Sequence, residues 1–132
     1  MDLDTLLNKN QKEAATYLDS HLRIIAGAGS GKTRVVTYRI AHLIQDIGID
    51  PRSILAITFT NKAANEMKER VNEIVGIHGS GTLICTIHSL CVRLLRQHIN
   101  VLNYPSNFTI MDEEDQKALI KKLYTQLEID AK

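Results

Sequence analysis

The stretch "IIAGAGSGKTRVV", from Ile24 to Val36, decides how the rest of this sequence is interpreted. An apolar run enters a glycine-rich turn, and a lysine, a threonine and further apolar residues follow it. The turn fits the phosphate-loop pattern G-x-x-x-x-G-K-[ST], except that Ala26 stands at its first position. Small residues let successive backbone N–H groups point into one concavity, where they can bind phosphate. The stretch therefore predicts a phosphate loop between a buried strand and a helix.

The loop residues can be given roles from the chemistry of a nucleotide with bound Mg²⁺. Lys32 is expected to reach the outer phosphates, and the Thr33 hydroxyl is expected to hold the metal ion. The N-terminus of the following helix adds its partial positive charge to the anion site. ATP and Mg²⁺ are therefore the expected cofactors, and an ordinary flexible turn is the alternative. The predicted cradle consists of Ala26, Gly27, Ala28, Gly29, Ser30 and Gly31.

Length and composition describe an ordinary globular chain. Its 132 residues fit one domain, and the 44% hydrophobic and 23% charged fractions are typical of such domains. A net charge of +1 argues against a strongly basic coat for nucleic acid. Cys85 and Cys91 lack CxxC spacing, so a reduced, cytoplasmic setting is expected. Neither a transmembrane run nor a signal peptide is predicted.

Predicted strands and helices alternate along the chain. The predicted strands are "HLRIIA", "ILAITF", "TLICTI" and the short "FTIM". The predicted helices are an N-terminal one capped by Asn8, then Lys32–Ile47, Asn61–Val75, His88–His98 and Asp112–Leu127. This order predicts an α/β fold with a mainly parallel sheet and flanking helices. The carboxyl ends of parallel strands share one edge, so the loops "AGAGSGK", "TFTNKA" and "CTIHS" are expected to gather there.

Gln11 has two interpretations. With Asn8 it forms N-x-x-Q at the start of a helix, which is the pattern of a capping box. Alternatively, its amide could read the edge of an adenine base, because it carries both a donor and an acceptor. Spacing alone favours the cap.

Several segments together resemble one known family. They are "LNKNQKEA", "AGAGSGKTR", "ILAITFTNKAANEMKERV", "GTLICTIHSLCVRLLR" and "FTIMDEEDQKALIKKL". In this order and spacing they resemble the amino-terminal part of superfamily 1 DNA helicases of the UvrD/PcrA/Rep group, over nearly the whole chain. The resemblance implies a partial RecA-like P-loop domain. Residues 1–107 would be the ATP-binding portion of the first motor domain, and residues 108–132 would begin the inserted helical subdomain.

The resemblance also implies roles for individual residues. Gln11 would read adenine, Arg34 would lie beside the nucleotide, and Lys32 and Thr33 would act in catalysis. The residues expected to contact single-stranded DNA are Phe59, Thr60, Asn61, Thr86 and His88. Ile87 replaces the phenylalanine common in the family's "TFHS" motif, so the polar contacts of this motif are expected here but an aromatic contact from position 87 is not. Without the family, Phe59 could equally be a core residue, and a lone histidine such as His88 is more often a capping residue.

The segment "FTIMDEED" offers a candidate for the carboxylate that nucleotide hydrolysis requires. An apolar strand followed by Asp112 and Glu113 imitates a Walker B element. The competing interpretation is a helix capped by Asp112 with an acidic first turn. The cap is favoured, because the resemblance places this segment at the start of the inserted subdomain. The family's Asp-Glu motif, arginine finger and second motor domain are then expected outside these 132 residues.

The function implied by the resemblance is that of an ATP-dependent DNA helicase. The parent protein would translocate 3′ to 5′ on single-stranded DNA and unwind duplex DNA, and this segment alone would lack helicase activity. Its expected partners are DNA, ATP and the remainder of the helicase chain, without a membrane. A non-catalytic nucleotide- or single-strand-binding module that modulates intact helicases is the alternative. An incomplete sheet is also expected to favour edge-to-edge self-association.

Overall fold

The structure is a computed structural model that describes residues 1–129. Two parallel strands, β1 (Leu55–Thr58) and β2 (Leu83–Thr86), form its sheet. The helices are α1 (Leu3–Leu6), α2 (Lys9–Thr16), α3 (Lys32–Gln45), α4 (Asn61–Val75), α5 (Ile87–His98) and α6 (Glu113–Gln126). Short 3₁₀ turns occupy Pro51–Ser53, Gly76–Gly79 and Ile99–Leu102. The predicted α/β class with a parallel sheet and flanking helices is confirmed. None of the described helices is long and apolar enough to cross a bilayer.

The sheet is one β-α-β unit in which α4 connects β1 to β2. Leu55 pairs with Leu83, and the register continues to Thr58 and Thr86. Ala56 and Ile84 are buried beneath α4, which packs on both strands. On the opposite face, Leu55 and Ile57 are 49% and 48% exposed. Side chains alternate between the faces of a strand, so this sheet buries one of its faces and leaves the other half open.

Two of the predicted strands are wrong. The segment "HLRIIA" is irregular, and Ile25 within it is 86% exposed. The segment "FTIM" is also irregular, and Ile110 is 59% exposed. A strand exists only through hydrogen bonds to a neighbouring strand, and among residues 1–129 neither segment has such a neighbour. The predicted sheet of four strands is therefore reduced to two.

Helix α3 lies between two hydrophobic clusters. Ile40 and Ile44 pack with the core that α4 and the strands share. Val35 packs in the other cluster, which residues of α1 and α2 complete. The helix ends at Gln45, two residues before the predicted end, and Gly48 follows with φ of +81°. A glycine in the left-handed region after a helix allows the chain to reverse direction.

The chain divides into two compact units, Met1–Cys91 and a second one that begins at Val92. In the second unit, the Arg96 guanidinium lies 4.8 Å from the centre of the Phe108 ring and donates to the carbonyl oxygens of Ser106 and Phe108. Helix α5 contains no buried residue, and its Leu94 and Leu95 are 48% and 40% exposed. Residues 130–132, at the end of the predicted inserted subdomain, lie outside the described residues.

Asp112 caps α6, as the favoured interpretation predicts. Its Oδ1 accepts from the Asp115 N–H at 2.8 Å, and Asp115 Oδ2 accepts from the Asp112 N–H at 3.4 Å. Glu113 lies in the first turn, 3.9 Å from Lys117 Nζ. The carboxyl of Asp112 therefore stabilises a helix end. The Walker B interpretation of "FTIMDEED" is wrong, because the strand that it requires is not formed.

A pH-dependent contact lies at the end of α3. His42 Nδ1 and Asp46 Oδ2 are 2.7 Å apart, and the amino terminus contacts Asp46 Oδ1 at 3.0 Å. The hydrogen bond with His42, helped by the one from the amino terminus, holds the pKa of the Asp46 carboxyl below its ordinary 3.8. Because the folded pKa is the lower one, the resulting stability is fully present above pH 3.8. It is lost as the pH falls through the folded pKa.

Replacing Asp46 with asparagine is expected to reduce the free energy of unfolding by about 0.5 kcal/mol at about pH 6, as partly exposed ion pairs do. The reduction should shrink below pH 3.8, where the carboxyl loses its charge. Urea unfolding of both proteins at about pH 6 and about pH 3 measures this, with Glu66→Gln on exposed α4 as a control. A difference that is the same at both pH values would contradict the assignment.

Candidate nucleotide site and strand-end loops

The glycine loop adopts left-handed backbone at two positions. Gly29 and Gly31 have φ of +74° and +84°, in the left-handed region that residues with a side chain rarely adopt. The Ser30 N–H and Oγ both donate to the Gly27 carbonyl, at 3.4 and 2.8 Å. Helix α3 then begins without a side-chain cap and runs for 14 residues. Its first N–H groups, which have no partner within the helix, can therefore serve an anion.

The Lys32 side chain folds back over this loop. Its Nζ donates to the carbonyl oxygens of Ala26 at 3.0 Å and Gly27 at 2.7 Å. A phosphate oxygen is a charged acceptor and forms a stronger hydrogen bond with an ammonium than a carbonyl does. The position of the ammonium fits the predicted phosphate contact, which stays a prediction.

Gln11 takes part in the capping box and contacts the loop at the same time. Asn8 Oδ1 accepts from the Gln11 N–H at 2.9 Å, and Gln11 Oε1 accepts from the Asn8 N–H at 3.1 Å. Gln11 Nε2 also donates to the Ser30 carbonyl at 3.1 Å. The capping box is confirmed. A primary amide has a second N–H and a second lone pair, so reading an adenine edge remains chemically open and stays a prediction.

The contact between Gln11 and the loop requires a glycine at position 31. A Cβ atom placed on Gly31 would lie 2.6 Å from Gln11 Nε2, which is far inside van der Waals contact. At Gly27 and Gly29 a Cβ would meet nothing within 4 Å. The last glycine of the loop therefore serves two purposes, because it adopts the left-handed backbone and admits the glutamine.

Arg34 contacts the end of α1 and the Tyr38 ring. Its Nε and Nη2 donate to the Leu6 carbonyl at 3.2 and 2.8 Å, and its guanidinium lies 5.2 Å from the centre of the Tyr38 ring. A cleft of about 440 Å³ lies beside it, between α3 and α4. The cleft is lined by Arg34, Thr37, Tyr38, Arg70, Glu73 and Ile74. The predicted place of Arg34 beside the nucleotide stays a prediction.

Thr33 is exposed in the first turn of α3. Within residues 1–129, no group of three or more His, Cys, Asp or Glu side chains is arranged to hold a metal ion. The prediction for Mg²⁺ therefore depends on the Thr33 hydroxyl together with the phosphates of a nucleotide.

The loop after β1 presents an aromatic side chain to solvent. Phe59 is 93% exposed, so its alternative interpretation as a core residue is wrong. Thr60 caps α4, since its Oγ accepts from the Ala63 N–H at 3.1 Å, and Asn61 is exposed in the first turn. The Thr58 hydroxyl donates to the Thr60 carbonyl at 3.0 Å, which fixes the turn between them. An exposed ring held at a fixed turn is the kind of surface on which a base can stack.

The loop after β2 is partly closed to solvent. Thr86 is only 5% exposed, and its Oγ accepts from the Ser89 N–H at 3.2 Å and lies 2.9 Å from Ser89 Oγ. His88 is exposed in the first turn of α5. Of the two predicted DNA contacts in this loop, His88 is accessible, whereas the Thr86 hydroxyl already stabilises the start of the helix.

The predicted site residues form two groups. Lys32 and Gln11 meet at the glycine loop. The loops that carry Phe59 and His88 lie at the same edge of the sheet, because Thr58 pairs with Thr86. Residues 21–27 form no strand, so the sheet does not carry the glycine loop to that edge as predicted.

Arg39 is not among the residues that the sequence predicts to be functional. This arginine of α3 donates to the carbonyl oxygens of Ala14 and Ala15, some 25 residues earlier in the chain. Its position seven residues after Lys32, almost two helical turns, places both on one face of α3. The spacing was available from the sequence, but the carbonyl partners were not.

Comparisons with known proteins identify the family of this chain. The sequence profile of the UvrD/REP helicase N-terminal domain matches residues 7–132, and the chain belongs to this family. It is similar to the ATP-dependent DNA helicase PcrA of Staphylococcus aureus and to that of Staphylococcus epidermidis, with 48% identity over 126 residues in each case. The aligned part is 96% of this chain and 17% of each relative, so the chain spans only a small part of the length of the relatives it matches.

Proposed function

We propose that this chain is the ATP-binding segment of an ATP-dependent DNA helicase, in a partial RecA-like P-loop domain. Residues 1–107 form the portion that binds ATP and contacts single-stranded DNA, and residues 108–132 begin an inserted helical subdomain. Translocation 3′ to 5′ and duplex unwinding belong to the whole protein, of which this segment alone is inactive. The names of the relatives support this proposal, since both are called ATP-dependent DNA helicases.

The geometry of the glycine loop supports nucleotide binding most directly. Two glycines with left-handed backbone precede an uncapped helix N-terminus, and the Lys32 ammonium lies within 3.0 Å of two loop carbonyls. In the proposed complex, Lys32 exchanges these carbonyls for phosphate oxygens, which are stronger acceptors. Gln11 holds the loop through its hydrogen bond to Ser30. Its second amide N–H and the second lone pair of its amide oxygen are presented to the base. Mg²⁺ would supply charge neutralisation of the phosphates, with Thr33 as its ligand from this chain.

The experiment that tests nucleotide binding is isothermal titration of the 132-residue chain with ATP and Mg²⁺, alongside its Lys32→Ala variant. Saturable binding by the parent chain, weakened in the variant, supports the proposal. Binding that is equally strong in both proteins would remove the glycine loop from the site.

Phe59 is expected to contribute most to the binding of single-stranded DNA. Its ring is 93% exposed, so Phe59→Ala should leave the melting temperature unchanged. It should weaken the binding of a fluorescent oligothymidine about tenfold, since stacking on one aromatic ring contributes roughly 1–3 kcal/mol. Fluorescence anisotropy measures this affinity.

The matched control for this prediction is Ile77→Ala. Ile77 is also apolar and 84% exposed, but it precedes β2 and therefore lies near the amino end of that strand. We expect it to leave DNA affinity unchanged. Equal losses in the two variants would indicate nonspecific hydrophobic binding and would contradict the role of Phe59.

A further inference from the structure

Arg39 joins the middle of α3 to the end of α2. Its Nη1 donates to the carbonyl oxygens of Ala14 at 3.2 Å and Ala15 at 3.4 Å, and to that of Tyr17 at closer range. The last carbonyl groups of a helix have no partner within the helix. A guanidinium placed there supplies the missing donors and interacts favourably with the helix dipole. Arg39 therefore caps the carboxyl end of α2.

The other end of α2 carries the contact with the glycine loop. Gln11 lies in its first turn and donates to the Ser30 carbonyl at 3.1 Å. These two attachments lie three to six residues apart along the helix, so about 5 to 9 Å separates them along its axis. Apolar contacts with Val35 and its cluster hold α2 against α3. Such contacts are not directional, so they do not fix the rotation or sliding of α2 as hydrogen bonds do.

Among the described residues, Arg39 makes every side-chain hydrogen bond that connects α3 with α2. Lys32, at the start of α3, contacts the loop carbonyls. One helix thus carries the lysine for the phosphates and the arginine that fixes the helix of Gln11. A change in the register between α2 and α3 would move Gln11 relative to Lys32.

We infer that Arg39 is a positioning residue for base recognition: it holds α2 in register so that the Gln11 amide meets the base of a nucleotide bound at Lys32. The inference rests on the proposed function of the glycine loop. It adds a specificity determinant that touches neither the nucleotide nor the loop. A purely structural role for Arg39 would instead weaken the binding of every ligand alike.

Base selectivity separates these two roles. Adenine presents a donor and an acceptor side by side at N6 and N7, which a glutamine amide can meet with two hydrogen bonds, whereas guanine presents two acceptors at O6 and N7. Gln11 can therefore favour ATP over GTP only when it is correctly placed. Tripolyphosphate has no base and reports on the loop and Lys32 alone.

The experiment measures dissociation constants of ATP, GTP and tripolyphosphate, each with Mg²⁺, for the 132-residue chain and its variants. We expect the parent chain to prefer ATP over GTP about tenfold. Gln11→Ala and Arg39→Gln should each abolish this preference and leave tripolyphosphate affinity within about twofold. The double variant should lose no more than either single one, because both act through one contact.

Arg39→Lys retains the charge but loses the planar fork, so it should restore part of the ATP preference. It also keeps the test valid if Arg39→Gln does not fold, as judged by circular dichroism. Retained preference for ATP in both folded Arg39 variants would overturn the inference. Equal losses for ATP, GTP and tripolyphosphate would overturn it as well, in favour of a structural role.

The parent chain separates failure of the inference from failure of the proposed function. If it binds ATP, GTP and tripolyphosphate equally well, base recognition by Gln11 and its positioning by Arg39 are both wrong, while the phosphate loop stands. If it binds none of the three, the proposed function itself is wrong and the inference falls with it.

Discussion

Replacing Lys32 with alanine is expected to weaken ATP binding about a hundredfold. The ammonium lies 2.7 Å from the Gly27 carbonyl and 3.0 Å from that of Ala26, which places it over the loop. A hydrogen bond to a charged group contributes about 1.5–3 kcal/mol, and a loss of roughly 3 kcal/mol corresponds to two orders of magnitude in affinity. Lys32 is exposed, so its removal leaves no cavity and should hardly change the free energy of unfolding.

The matched control is Lys68→Ala, which removes another exposed lysine, from α4. Both variants lower the net charge by one unit, so a general effect of charge on ATP binding would appear in both. Titration calorimetry at two salt concentrations measures the affinities. If Lys68→Ala lost as much ATP affinity as Lys32→Ala, Lys32 would contribute only nonspecific electrostatic attraction.

Replacing Gly31 with alanine is expected to damage both the fold of the loop and the contact with Gln11. The left-handed φ of +84° costs a residue with a side chain about 1–2 kcal/mol. The new Cβ would lie 2.6 Å from Gln11 Nε2, so the glutamine must leave Ser30. We expect a loss of stability of about 1–2 kcal/mol and at least a tenfold loss of ATP affinity, since a charged site loses its fixed geometry.

The other two glycines of the loop separate these effects. Gly29 has a φ of +74° but open space around its Cβ position, so Gly29→Ala should destabilise the protein without displacing Gln11. Gly27 has open space around its Cβ position as well, but no left-handed backbone, so Gly27→Ala should change little. Thermal unfolding and ATP titration of the three variants test this order. An ATP affinity in Gly31→Ala no lower than that in Gly29→Ala would show that Gln11 is not needed at the loop.

Features that depend on neighbouring residues were predictable from the sequence. The helices Lys32–Gln45 and Asn61–Val75 follow from apolar spacing and end close to the predicted positions. The caps by Asn8 and Asp112 follow from a polar residue before an apolar helical pattern. In each of these cases the sequence within a few turns contains the cause.

Features that depend on distant partners were not predictable. "HLRIIA" has the composition of a strand, but composition does not provide a neighbouring strand. At the candidate site, the capping box of Gln11 was predictable from spacing, whereas its hydrogen bond to the Ser30 carbonyl was not. Arg34 and Arg39 bond to backbone carbonyls of Leu6 and Ala14, and any residue type offers such a carbonyl, so no sequence pattern marks it.

The parallel register of β1 and β2 has a consequence for how the protein folds. Leu55 and Leu83 are partners although they lie 28 positions apart in the sequence. A parallel pair cannot form as a local hairpin and requires the crossover through α4 to close first. Closing such a long connection is slow compared with forming a helix. The loops that present Phe59 and His88 therefore become neighbours only once this crossover has closed, and core substitutions on α4 that slow its closure should slow the recovery of the proposed DNA binding after denaturation.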